Sequence, residues 1–280
     1  MAAHISTVQN FRLRTMVVPR EHGAWGMLLV PVATGAVIAS QTAIDCGALV
    51  LFIVAAMSLF WLRTPVESWL GTSAIKAQNA AERSYVLRSI IGIGALAITS
   101  VAALLWSARN RDLIAIGAVS TLAFAAQAAV KRLGRKGRMP AQVIGAIGLT
   151  STAAGAYCVS AGRLDRVAIA LWLANWLFAA NQIHFVQLRI RASRAVGLDQ
   201  KLKQGFTFIL AQIALLGAIL AACRLGFFPA AAAIAFLPVL LRGTLWFAQV
   251  PQPLDVHKLG FSELSQALIF GGLLCAAFLI

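Results

Sequence analysis

The stretch Phe206–Ala222, FTFILAQIALLGAILAA, holds no charged residue and is closed off by Lys203 on one side and Arg224 on the other. A helix needs about 20 apolar residues to cross ~30 Å of hydrocarbon, so a run of this kind reads as a membrane span. Eight more runs share its character: Ala24–Gln41, Cys46–Leu62, Ser89–Ser107, Leu113–Val130, Ala141–Ala161, Val167–Phe185, Ala230–Phe247 and Leu264–Ile280. The composition agrees. Of 280 residues, 60% are hydrophobic and 12% charged, against roughly 45–50% and about 25% in soluble domains. An ordinary soluble enzyme and a disordered protein are both excluded. The expected fold is all-α, a polytopic membrane protein of about nine transmembrane helices with a cytoplasmic N-terminal segment, 1–23, and one bundle, 24–280.

A formal charge of +15 invites a nucleic-acid reading, because basic patches neutralise phosphates. Distribution decides otherwise. Sorted by alternate sides of nine spans, 19 of the 24 Lys and Arg fall on one side, and Arg109, Arg111, Arg163, Arg166 and Arg224 on the other. Cytoplasmic loops carry the Lys/Arg excess, so the N-terminus is expected inside and the C-terminus outside a bacterial cytoplasmic membrane. Membrane lipids are then the expected partners, and nucleic acid is not. The first 20 residues lack an apolar core with a small-residue cleavage pattern, so no signal peptide is expected. Cys46, Cys158, Cys223 and Cys275 show no C-x-x-C spacing and read as small apolar packing, with an outer-side disulfide left open.

The inner connections, expected at 63–88, 131–140, 186–205 and 248–263, are the longer ones and are where a site would be built. Thr64-Pro65-Val66-Glu67 combines a capping hydroxyl, Pro at the first helical position and Glu at the third, and predicts a new short amphipathic helix running through Trp69 and Arg83. Pro31 and Pro238 each remove an in-helix hydrogen bond and predict kinks in the first and eighth spans.

Ionisable and amide groups at the edge of a bilayer are costly and therefore functional candidates. Here they gather toward one leaflet. The expected substrate-binding set is Glu21, His22, Arg63, Asn175, Asn181, Gln182, Arg189, Arg242 and Glu263. At about 100° per residue, Asn175, Gln182 and Arg189 share one stripe of the sixth span, and His184, Gln187 and Arg191 share the opposite one. Such a helix cannot face lipid on either stripe, and the pattern predicts a polar cavity open to the cytoplasm. Arg242 stands one turn after Pro238, where its guanidinium either satisfies freed carbonyls or holds an anion. No catalytic residue is assigned. The four His are scattered with no Cys beside them, so no zinc site is expected. Neither G-x-G-x-x-G nor the P-loop pattern occurs.

The segment Pro19-Arg20-Glu21-His22-Gly23-Ala24-Trp25 leads into a span with Pro31; Leu62-Arg63-Thr64-Pro65 follows the second span; Gly260-Phe261-Ser262-Glu263 precedes the last. Together they resemble the YwiC-like family of bacterial integral membrane proteins, with Glu21–Trp25 the specific part. The topology is more distantly similar to the UbiA superfamily of intramembrane prenyltransferases, which implies a UbiA-like nine-helix bundle with motifs after the second and sixth helices. That resemblance also implies two acidic motifs holding magnesium on a prenyl diphosphate. At the matching places this chain reads Leu62–Glu67 and Asn181–Phe185, with one carboxylate between them. No cofactor is evident, and magnesium enters only if prenyltransferase chemistry is retained. The leading expectation is a site for an anionic or isoprenoid-type amphiphile. A divergent prenyltransferase, a small-solute transporter and an assembly partner stand as alternatives.

Overall fold

The computed structural model describes residues 11–19, 22–41, 45–71, 73, 75–106, 110–134, 137–193, 195, 197–249 and 254–280. A helical stretch over 11–17 is followed by α1 (His22–Ala39), α2 (Cys46–Trp69), α3 (Ala80–Trp106), α4 (Asn110–Lys131), α5 (Arg138–Thr150), α6 (Thr152–Ala161), α7 (Arg166–Arg191), α8 (Leu198–Arg224), α9 (Ala232–Ala248) and α10 (Val256–Leu279). Among the described residues seven segments are long and apolar enough to cross a membrane: α2, α3, Asp112–Lys131 of α4, Arg138–Ala161 joining α5 and α6, α7, α8 and α10. The protein is a multi-pass membrane protein. Two shorter apolar helices, Trp25–Ala39 and Ala232–Ala248, stand where the first and eighth spans were expected. Among the described residues there is no strand.

Contacts divide the chain into two compact units, Met1–His22 with Asp45–Asn110, and Gly23–Ile44 with Arg111–Ile280. In the first unit, α2 and α3 form an antiparallel pair. The stretch 11–17 is tied to α2 through Trp61, whose Nε1 donates to Val17 O at 2.8 Å, and through Ser68, whose Oγ donates to Met16 O at 3.1 Å. Asp45 caps α2 by accepting from Ala48 N at 3.0 Å. Glu82 Oε2 accepts from Gln78 N while Asn79 Oδ1 accepts from Glu82 N, both at 2.8 Å, a reciprocal cap that starts α3.

The connections correct the sequence reading. Helix α2 continues through Thr64-Pro65-Val66-Glu67 to Trp69 and ends at Gly71, whose φ of 72° suits a residue without Cβ. No helix starts at Thr64, and the connector is 70–79 rather than 63–88. Likewise α7 runs on to Arg191, α8 begins at Leu198 and α10 begins at Val256, so Glu263 lies two turns inside a helix. Arg, Lys, Gln and Glu are good helix formers, and a helix crossing a bilayer does not stop where its polar residues begin.

In the second unit α7 is the central helix, packing against α5, α6, α8, α9 and α10. It starts at Asp165, whose Oδ1 accepts from Val167 N and Ala168 N. One face binds the α5 backbone: Trp172 Nε1 donates to Ile147 O at 2.9 Å, and Trp176 Nε1 to Val143 O at 3.1 Å. Phe178 stacks on Phe270 of α10 at 4.1 Å and Phe236 of α9 meets the same ring at 5.1 Å, forming the apolar core. Span Arg138–Ala161 breaks at Ser151. There Thr150 Oγ1, Ser151 Oγ and Thr152 Oγ1 turn back onto Ala146 O, Gly148 O and Leu149 O, bonding that bends helices. Gly35 of α1 sits against this break so closely that a Cβ would lie 2.2 Å from Ala153 O.

Candidate functional site

Carboxylates are scarce enough to follow one by one. Among the described residues Asp45, Glu82, Asp165 and Asp255 accept from backbone N–H groups at helix starts, Asp112 accepts from Leu164 N at 3.0 Å, and Glu67 pairs with Arg63. Asp199 lies in the first turn of α8. Glu263 differs from all of them: it is buried within a span, on the inner face of α10.

Around it three helices, α7, α8 and α9, contribute polar side chains. Arg242 of α9 places Nη1 on Glu263 Oε1, and its guanidinium stacks over the Phe185 ring of α7 at 4.1 Å. Gln182 Nε2 donates to Glu263 O at 2.7 Å. Asn181, the residue before it on α7, points about 100° away and donates from Nδ2 to Gln212 Oε1 of α8 at 2.9 Å. Arg189, two turns beyond Gln182 on the same stripe, lies near enough to interact electrostatically with both Glu263 and Arg242. Gly243 closes the ring. A Cβ there would lie 2.0 Å from Gln212 Nε2 and 3.0 Å from the Phe208 ring, so the amide of Gln212 occupies space that only glycine leaves.

Hydrogen bonding in this ring is incomplete. Among the described residues, Arg242 Nε and Nη2, Glu263 Oε2, Gln266 Oε1, Asn181 Oδ1, Gln212 Nε2 and His184 Nε2 are buried with no partner. Such groups cost about 1–3 kcal/mol each when left unmade. The arginine matters most here, because Nη1 holds Glu263 while Nε and Nη2 carry parallel N–H bonds, the fork that fits two oxygens of one anion.

Of the remaining expected residues, Asn175 is the one the structure describes within the second unit. Asn175 is buried against the Pro31 turn of α1, donating to Thr34 Oγ1 at 3.1 Å and Leu171 O at 2.9 Å, while Thr34 donates to Pro31 O. Arg63 belongs to the first unit and pairs with Glu67 at 3.0 Å. Glu21 lies outside the described residues, as does the side chain of His22, the first residue of α1. On the opposite stripe of α7, Gln187 donates to Gln142 Oε1 of α5 at 3.0 Å and His184 meets Phe208 of α8 edge-on at 5.3 Å, so this stripe contacts neighbouring helices. Gln212 and Gly243 went unread in the sequence; a lone amide amid the uncharged run Phe206–Ala222 was the available signal. Lys201 also escaped notice as a buried group. Its Nζ donates to Trp246 O at 3.1 Å and to Gln249 O, neutralising the carbonyl end of α9 just beyond Arg242.

Cys46, Cys223 and Cys275 are free thiols. Among the described residues no three His, Cys, Asp or Glu side chains gather that could hold a metal ion. Magnesium needs several hard oxygens, whereas the ring offers one carboxylate already engaged by an arginine, so the donor set does not fit that ion.

A multi-pass helical protein with one buried, incompletely bonded arginine–glutamate ring is the class defined so far. The family description YwiC-like protein matches residues 18–157, half of the chain, and the chain belongs to that family. No curated protein and no solved structure matches it. The matched half ends before α7, so the ring is built from the part beyond it.

Proposed function

We propose that this protein binds the anionic head of an amphiphile, isoprenoid or other lipid, at the Arg242 fork, with Arg189 adding positive charge and the acyl or prenyl tail lying along the bundle. The single observation carrying the reading is Arg242 Nε and Nη2, buried and unpartnered beside the fixed Nη1 bond to Glu263. The Lys/Arg distribution and the two short apolar helices, taken as spans, support a nine-span bundle in a bacterial cytoplasmic membrane with the N-terminus inside, which puts the ring near the inner leaflet.

Binding of farnesyl phosphate and dioctanoylphosphatidylglycerol to detergent-solubilised protein, compared with farnesol and dioctanoylphosphatidylcholine, tests this. The anionic pair is expected to bind at least about tenfold more tightly. Arg242→Lys, which keeps charge but not the fork, is expected to lose most of that gain. Equal affinity for charged and neutral amphiphiles would contradict it. A transport reading draws on the break at Ser151 in the buried span Arg138–Ala161, together with Pro31 and Pro238. Its test is anion flux into proteoliposomes that Arg242→Ala abolishes. The UbiA-like prenyltransferase reading has the arginines in its favour and the missing carboxylates against it. Magnesium-dependent diphosphate release from prenyl diphosphates is its assay.

A further inference from the structure

The unpartnered atoms of the ring are of both kinds, and an anion alone satisfies one of them. Arg242 Nε and Nη2 are donors, whereas Glu263 Oε2 and Gln266 Oε1 are acceptors. Glu263 and Gln266 are three residues apart on α10, which puts their side chains on one face of that helix. A ligand that brings only oxyanion oxygens fills the fork and leaves two buried acceptors facing further lone pairs.

Charge narrows the choice. Arg242 and Arg189 bring two positive charges and Glu263 one negative, so the cluster carries a net +1 within a span, where uncompensated charge is costly. A zwitterionic head leaves that charge standing, and a diphosphate overshoots it. Resting on the anion-binding reading above, we infer that the head taken here is a singly charged oxyanion carrying a neutral hydroxyl donor, the anion on the Arg242 fork and the hydroxyl on Glu263 Oε2 and Gln266 Oε1. A phosphodiester with a glycerol hydroxyl has this chemistry, whether held in a lipid or free in water.

The experiment compares three dioctanoyl phosphodiester lipids on full-length protein in detergent: the phosphatidylglycerol, the phosphatidylmethanol, which has equal charge and no hydroxyl, and the zwitterionic phosphatidylethanolamine. Phosphatidylglycerol is expected to bind about tenfold more tightly than either of the others. In Gln266→Leu its advantage over phosphatidylmethanol falls to about twofold or less, with phosphatidylmethanol affinity unchanged. If that variant elutes as aggregate, Gln266→Met serves for the same comparison. Competition by glycerophosphoglycerol supports a water-borne ligand, and failure of that headgroup to compete with the lipid supports a membrane one; either is consistent with the inference. Equal affinity for the glycerol and methanol lipids in the unaltered protein overturns the inference while leaving the anion site intact, as does a preference that survives loss of Gln266, and so does tighter binding of phosphatidylethanolamine. Absence of binding by all three overturns both readings.

Discussion

Two arginine–glutamate pairs separate the two units of this protein. Arg63 and Glu67 stand four residues apart on α2, 3.0 Å from each other, with side chains 28% and 35% exposed. Arg242 and Glu263 join α9 to α10, with side chains 14% and 9% exposed. The first is a local helix pair in contact with solvent or headgroups, where water screens the attraction and ordering two long side chains offsets much of what remains. The second is tertiary and desolvated, so each partner depends on the other, and the donors and acceptors left over have no water to fall back on. The same two residue types therefore act as surface furniture in one place and as a candidate binding centre in the other, and burial makes the difference.

The largest expected effect is on Glu263. Replacing it with Ala leaves Arg242 and Arg189 together without a countercharge, and is expected to cost about 3–5 kcal/mol in detergent-induced unfolding. Adding Arg242→Met in that background should restore much of the loss, since removing both charges is far cheaper than removing one. A cost below about 1 kcal/mol for the single variant would show the pair to be solvated after all. Next comes Lys201→Met, which takes the cation from the carbonyl end of α9 and is expected to cost up to about 2 kcal/mol by the same measurement. An unchanged stability would mean the carbonyls of Trp246 and Gln249 find other partners. Smallest is Glu67→Ala, expected at about 0.3–0.5 kcal/mol, close to the resolution of the method. A loss as large as that of Glu263→Ala would erase the contrast between the two pairs.

Hydrophobic runs revealed most helices because burial in hydrocarbon demands long uncharged stretches, and the α7 stripe Asn175–Gln182–Arg189 was visible as a period of seven. The structure shows why that stripe is polar: Asn175 meets Thr34, Gln182 meets Glu263, and Arg189 lies in the field of Glu263 and Arg242. Helix ends were less legible. Thr64–Glu67 has the residue types of a helix start, yet Pro65 is accommodated inside α2, because tertiary packing outweighs a local capping preference. The partners of Asn181 and Arg242 were illegible, since nothing in the one-dimensional pattern says which helix faces which. Gln212 reads as a blemish in an apolar run until Gly243 on the neighbouring helix is seen to make room for it. Glu263, read as a residue opening the last span, becomes a buried group only once α10 is known to begin at Val256.

The most direct test of the central claim is a cryo-electron microscopy map of the protein in phosphatidylglycerol-containing nanodiscs, inspected at Arg242. A tetrahedral density within hydrogen-bonding distance of Nε and Nη2, continuing into a tail between helices, is the predicted result. A guanidinium whose Nε and Nη2 are met by backbone carbonyls or side chains of the protein itself, with no room for an oxyanion, would contradict it.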